Sequence, residues 1–261
     1  MYKIKKIKYF IFLIIYFFNI IKDKNYYFKK TKSQNKNLEN LFLKKISNQI
    51  QNKTFLEIGF HYNQFNCIGL IKKGFKGTLI DGGKYTNIAI MKLINLLLSL
   101  NLKIINIFLT KNNIKKIEIS KNIGCISIDI DGNDYWILKE LLNYTSSEII
   151  IAEYNASFQK KSITIPYDKK FTRHEKHPSG WYHGISLNGL ENFLKTNNYY
   201  LIKVIGGLNA IFASKEFIKK NNFKTYSARN LYAENQLRNQ WSNTNAKEQW
   251  EKIKHLKYVK I

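Results

Sequence analysis

The sequence predicts an α/β fold: a doubly wound (Rossmann-like), mostly parallel seven-stranded sheet that ends in an antiparallel hairpin and carries a helical C-terminal tail. Three observations lead there. From Thr54 onward, short Ile-rich apolar runs alternate with helix-period segments, which is the rhythm of strand–helix–strand units. Three of those runs lead into an acid, Glu57, Asp81 or Asp129, where an open α/β sheet binds its ligands. The last two runs, Tyr199–Ile205 and Ala210–Ser214, are separated by Gly206-Gly207-Leu208-Asn209, so they form a hairpin and the final strand is antiparallel.

Residues 1–36 stand apart. Lys3, Lys5, Lys6 and Lys8 precede an apolar run, Tyr9 to Ile21, and Lys22, Lys24, Lys29, Lys30 and Lys32 follow it. The run would reach about 20 Å as a helix, short of the roughly 30 Å of a bilayer core. It has the length of a signal-peptide core but no small-residue cleavage site after it. Three fates fit: peripheral contact with an anionic membrane surface, docking on the protein's own core, or a membrane anchor.

The main domain is expected over 37–214. Leu38, Leu41, Phe42, Ile46 and Ile50 have helical spacing and lead into it. Strand Thr54–Ile58 precedes a helix with Phe65, Ile68 and Ile71 inward; strand Gly77–Asp81 precedes a helix, Tyr85–Leu100, apolar nearly all round and so expected to be buried. Strands Ile104–Phe108, Cys125–Ile130 and Glu148–Glu153 follow. Residues 155–184 break the rhythm, holding both prolines, three of the five histidines, Arg173 and Trp181. A stretch that long without a period, yet rich in aromatics, is expected to be a substrate loop. Ser186 is a plausible N-cap for a helix with Leu187, Leu190, Phe193 and Leu194 inward. The tail, 215–261, reads as helical, with Trp241 and Trp250 as anchors.

Composition bounds the function. The 261 residues are 44% hydrophobic, enough for one large domain with attachments. A net charge of +25 would ordinarily suggest a polyanion partner. Only Arg173, Arg229 and Arg238 among 43 basic residues are Arg, and Lys, Asn, Ile, Tyr and Phe are used heavily throughout. That bias is expected of an AT-rich genome, so nucleic acid is not the expected partner. Cys67 and Cys125 read as buried free thiols in a reducing, cytoplasmic compartment.

The chemistry concentrates at the strand ends. Glu57-Ile58-Gly59, with His61 in the turn, lacks the later glycines of a dinucleotide fingerprint, so a cofactor without a pyrophosphate suits it better. Asp81-Gly82-Gly83 places an acid where it can take two ribose hydroxyls, or simply a turn. Asp129, Asp131 and Asp134 cluster around Gly132 and Asn133, too many acids for one solvated turn.

These features resemble the class I S-adenosylmethionine-dependent methyltransferases. Ile128 through Tyr135, Glu153-Tyr154-Asn155 with Ser157-Phe158, Pro166-Tyr167-Asp168, the stretch from His177 through Gly184, Asn209 through Phe212, and the tail from Trp241 to Trp250 resemble an FkbM-like bacterial subgroup. The resemblance covers roughly 37–261; one departure is Phe60, His61 and Tyr62 where such proteins carry small or acidic residues. It implies S-adenosyl-L-methionine held by Glu57, Gly59, His61, Asp81 and Gly82, and O-methylation of a small polar or glycan-linked acceptor. Asp129, Asp131, His174 and His177 are then candidates for catalysis, and Glu153, Asn155, Arg173 and Tyr182 for the acceptor. Asp129, Asp131 and Glu153 also form an oxygen-rich set that suits Mg²⁺, Mn²⁺ or Ca²⁺. The rivals are a non-catalytic, basic, membrane-associated binding protein and a metal-dependent enzyme of other chemistry.

Overall fold

A computed structural model describes residues 2–32, 38 and 43–261. Its strands are β1 (Thr54–Ile58), β2 (Lys76–Asp81), β3 (Leu102–Asn106), β4 (Asn122–Ile128), β5 (Ser146–Glu153), β6 (Ile163–Thr164), β7 (Tyr199–Ile205), β8 (Asn209–Ser214) and β9 (Val259–Lys260). Seven of them form one sheet in the order β3-β2-β1-β4-β5-β8-β7, and the two-residue β6 and β9 pair separately. β1 to β5 are parallel, and β8 enters antiparallel between β5 and β7. The fold is Rossmann-like, with the strand order reversing between β1 and β4. A crevice opens at such a reversal, beyond the carboxyl ends of the strands.

Helices α1 (Tyr2–Lys22), α2 (Asn25–Lys30), α3 (Lys44–Ile46), α4 (Ile68–Ile71), α5 (Tyr85–Leu98), α6 (Asp134–Leu141), α7 (Arg173–Lys176) and α8 (Leu187–Thr196) surround the sheet. The tail supplies α9 (Lys215–Asn221), α10 (Ala228–Leu231), α11 (Gln236–Ser242) and α12 (Ala246–Ile253). Alternate residues of each strand feed opposite layers, as the strand period of two requires. Phe55, Leu79, Cys125, Ile149 and Ile211 join the layer of α1, α4 and α5. Leu56, Ile80, Ile126, Ile150 and Phe212 join that of α6 and α8. Ser186 caps α8 by accepting from the Gly189 amide, and Asn245 with Glu248 forms a capping box on α12.

Several expectations change. β4 ends at Ile128, so Asp129 lies just past the strand rather than inside it. α5 is not buried all round: Leu96 is 76% exposed, because β3 is the edge strand and leaves the outer side of the helix uncovered. α3 is a single turn; Leu41 and Phe42, part of the expected helix there, lie outside the described residues. Trp241 is 84% exposed and anchors nothing, whereas Trp250 packs on Phe158 and Tyr258. The tail is also held by buried Phe217 and Ile253 and by the buried polar groups of Arg238 and Gln249.

The stretch 155–184 is ordered by its backbone partners. β6 pairs with β9, Trp136 donates its indole N–H to the Ile165 carbonyl at 2.9 Å, and the Gly184 amide donates to Gly132 O at 3.0 Å. α1 docks through Tyr16 and Ile20, both buried. Among the described residues no helix is long and apolar enough to cross a membrane.

Candidate functional site

A cavity of about 380 Å³ opens at the carboxyl ends of β1, β2 and β4, in the size range of small-molecule sites. Its walls include Gly59, Phe60, His61, Asp81, Gly82, Asp129 and Asp131, with Phe171 above. Gly59 has φ +83°, and a Cβ there would sit 1.7 Å from the Asp129 carbonyl oxygen. No side chain fits, so the turn after β1 presses its backbone against the segment that leaves β4. Asp81 is held by two backbone amides, Phe60 N at 3.2 Å and Gly83 N, which aim the carboxylate along the rim.

The acids after β4 divide in role. Asp134 is buried and accepts from Ile130 N and Gly132 N, both at 2.9 Å, so it closes the turn. Asp131 adopts φ +53° and pairs with Arg173 of α7, which donates from Nε to Gly180 O. Asn133 and Asp168 exchange hydrogen bonds, tying the 155–184 excursion over the same turn.

Glu57 does not line the cavity. Its side chain points to the opposite layer, accepting from Asn66 N (3.1 Å), Cys67 N (2.8 Å) and Ser127 Oγ (3.1 Å). It therefore caps the entry to α4 and fixes the turn from behind. Burial pushes its carboxyl up to about 7, against the lowering effect of those donors. Tyr62 turns away too, its ring 6.0 Å from Tyr16 of α1, while His61 stays on the cavity wall.

Behind the cavity floor lies a buried polar cluster that joins β5, the excursion and the tail. The carboxylate of Glu153 comes within 4.8 Å of the acid groups of Asp129 and Asp134, and also of Asp131 and His183. Arg238 of α11 crosses the cluster, donating from Nη1 to Asn155 Oδ1 (2.8 Å) and Ser157 Oγ (3.1 Å). Its Nη2 lies 3.2 Å from His183 Nε2 and 3.9 Å from Glu153 Oε1. Glu153 Oε2 and His183 Nδ1 face each other at 4.0 Å, and neither has a hydrogen-bond partner among the described residues. Burial first, then Asp129, Asp131 and Asp134, raises the Glu153 carboxyl well above its ordinary range. Burial, then Arg173 and Arg238, holds His183 well below its own, so the ring is neutral.

The remaining candidates lie elsewhere. His174 and His177 bond to Pro178 O and Ser179 Oγ within their own loop and do not line the cavity. Tyr182 reaches Lys257 O at 2.5 Å, inside the tail layer. Asn155 spends its amide on Trp181 O and His183 O. Arg238 and His183 went unassigned in the sequence. The signal for Arg238 was there: a chain that writes nearly every cation as Lys keeps Arg where a fixed planar fork is needed.

No protein-family profile matches the chain, nor does any curated protein. Similar solved structures include an S-adenosylmethionine-dependent methyltransferase from Clostridium acetobutylicum, at 10% identity over 69% of this chain and 92% of that one, TM-score 0.46. An O-methyltransferase from Bacillus cereus in complex with SAH matches at 14% identity over 64% of this chain and 76% of that one, TM-score 0.42. TehB from Haemophilus influenzae matches at 14% identity, 68% and 67%, TM-score 0.41.

Proposed function

We propose that the chain is an S-adenosylmethionine-dependent O-methyltransferase acting on a small polar or glycan-linked hydroxyl compound. The observation that carries the reading is the convergence of Gly59, Asp81 and Asp129 on one cleft at the strand-order reversal. That cleft offers carboxylates and close backbone but no glycine-rich phosphate cradle, which suits a cationic nucleoside. Asp81 would take the ribose hydroxyls, and Gly59, His61 and Gly82 the neighbouring parts of the donor. Glu57 would position the turn rather than touch the cofactor. The acceptor class rests on the sequence resemblance.

The buried cluster supplies the proton chemistry. Arg238 can only donate, so His183 Nε2 must accept and Nδ1 must carry the ring proton. A donor thus faces the Glu153 Oε2 acceptor across 4.0 Å, too far for a direct hydrogen bond and near enough for one oxygen set to the side to reach both. An acceptor hydroxyl there would receive a hydrogen bond from Nδ1–H and donate its own proton to Oε2. When bound, S-adenosylmethionine would supply the methyl group and its sulfur would keep the carbon–sulfur electron pair, while Glu153 would hold the proton that the acceptor oxygen gives up.

A divalent ion fits these residues poorly. Binding through His183 Nδ1 would place the ring proton on Nε2, against a guanidinium that cannot accept it. Asp131 is already paired with Arg173, and Asp134 with two amides. Calorimetry with S-adenosylhomocysteine tests the function. Micromolar binding that Asp81→Ala weakens at least tenfold supports it; no binding by the unaltered protein rejects it.

A further inference from the structure

α1 has two apolar faces, and the fold uses only one. Tyr16 and Ile20 are buried against the body, with Tyr16 in edge-to-face contact with Tyr26 and Tyr62. On the opposite side Ile7, Phe10, Ile11, Ile14, Ile15, Phe18 and Ile21 are each 49–66% exposed. Their spacing of three, four and seven puts them on one stripe, about 140° wide at 100° per residue. No other element among the described residues leaves a comparable face bare. Contiguous exposed apolar surface of this kind marks an interaction site.

The charges around the stripe choose its occupant. Lys8 stands at one end of the stripe and Lys22, Lys24, Lys29 and Lys30 at the other, all exposed. Tyr2–Lys22 contains no acid, and the one nearby, Asp23, is paired with Lys29 at 3.0 Å. A second copy laid on the stripe in either direction would bring lysines against lysines with no carboxylate between them. Anionic headgroups reverse that sign. Lys22 already lies with its ammonium 4.4 Å from the Phe18 ring, beside the stripe it would flank.

We infer that α1 is a monotopic anchor, lying flat on an anionic phospholipid bilayer with the Ile7-to-Ile21 stripe among the acyl chains and the lysines at the headgroups. Docking on the core and contact with lipid are then simultaneous, one on each face. The inference is independent of the methyltransferase reading, since it requires neither donor nor acceptor.

The test is co-sedimentation of the full chain with vesicles of phosphatidylcholine alone or mixed with phosphatidylglycerol. We expect at least tenfold tighter binding to the anionic vesicles, weakened but not abolished by half-molar salt. Ile11→Ser/Ile14→Ser/Phe18→Ser should lose vesicle binding at least tenfold without shifting the melting temperature, because these side chains face away from the body. Light scattering on a sizing column covers the alternative. Failure to bind anionic vesicles, equal binding to both vesicle types, or self-association that the triple variant dissolves while lipid is ignored would each overturn the inference.

Discussion

Arg238 Nη2 stands 3.2 Å from Nε2 of His183, and that contact decides what the other ring nitrogen can do. The guanidinium fixes the tautomer, and the tautomer turns Nδ1 into a donor aimed across the gap at Glu153. Two buried residues thereby set the hydrogen-bonding character of the cluster behind the cleft.

Nitrogen NMR of the histidine-labelled protein should find His183 neutral, with its proton on Nδ1, from pH 8 down to well below 6.5. Protonation must run downhill from that value, since burial and Arg173, Arg238 and His174 all disfavour the imidazolium. Added Mn²⁺ should leave the resonance sharp; selective broadening would restore the metal.

Removing the guanidinium strands Glu153. Arg238→Met should cost about 1–3 kcal/mol of stability, measured by urea unfolding at pH 7, because the buried Glu153 carboxyl, already raised by burial, loses the guanidinium that favours its charged form. Its other bonds, to Asn155 and Ser157, go with it.

Glu153→Gln should separate binding from transfer. Affinity for S-adenosylhomocysteine should stay within several-fold, while labelled-methyl transfer into a mixture of polyols and glycans falls by about 10²–10⁴. Parallel loss of both would make Glu153 a structural residue.

Glu57 makes folding sensitive to alkali. Its folded carboxyl lies near 7 against an ordinary 4.5, so the neutral form is favoured in the fold. The stability it contributes is complete below pH 4.5 and disappears as pH rises through 7, on the order of 3 kcal/mol in total. Glu57→Gln should flatten the unfolding midpoint between pH 5 and 8.5; an unchanged slope would mean the carboxylate is well solvated by its donors.

Gly59→Ala should unfold the cleft rather than tune it. A methyl at 1.7 Å from the Asp129 carbonyl, on a backbone at φ +83°, should cost at least about 3 kcal/mol, visible as a large drop in melting temperature.

The sheet was legible because its strands are short and apolar, and β1, β2, β4, β5 and β7 each end at an acid or a glycine. The cleft was legible for the same reason: Gly59, Asp81 and Asp129 sit at strand ends, and strand ends meet. Glu57 misled, since one residue's difference in strand phase sends a side chain to the opposite layer. The polar cluster stayed hidden because its members, Glu153, His183 and Arg238, are separated by 30 and 55 positions and are joined only by packing of the tail. His174 and His177 drew attention by lying in the aperiodic, histidine-rich stretch 155–184, where each bonds within its own loop instead.

Tyr62 touches α1 from the back of the same turn whose front, at Phe60 and His61, walls the cleft. Any tilt of α1 must either drag that turn or break the Tyr16 contact. Thermodynamic reciprocity then ties the two occupants together: if a bilayer alters the grip on the nucleoside, the nucleoside alters the grip on the bilayer by the same factor.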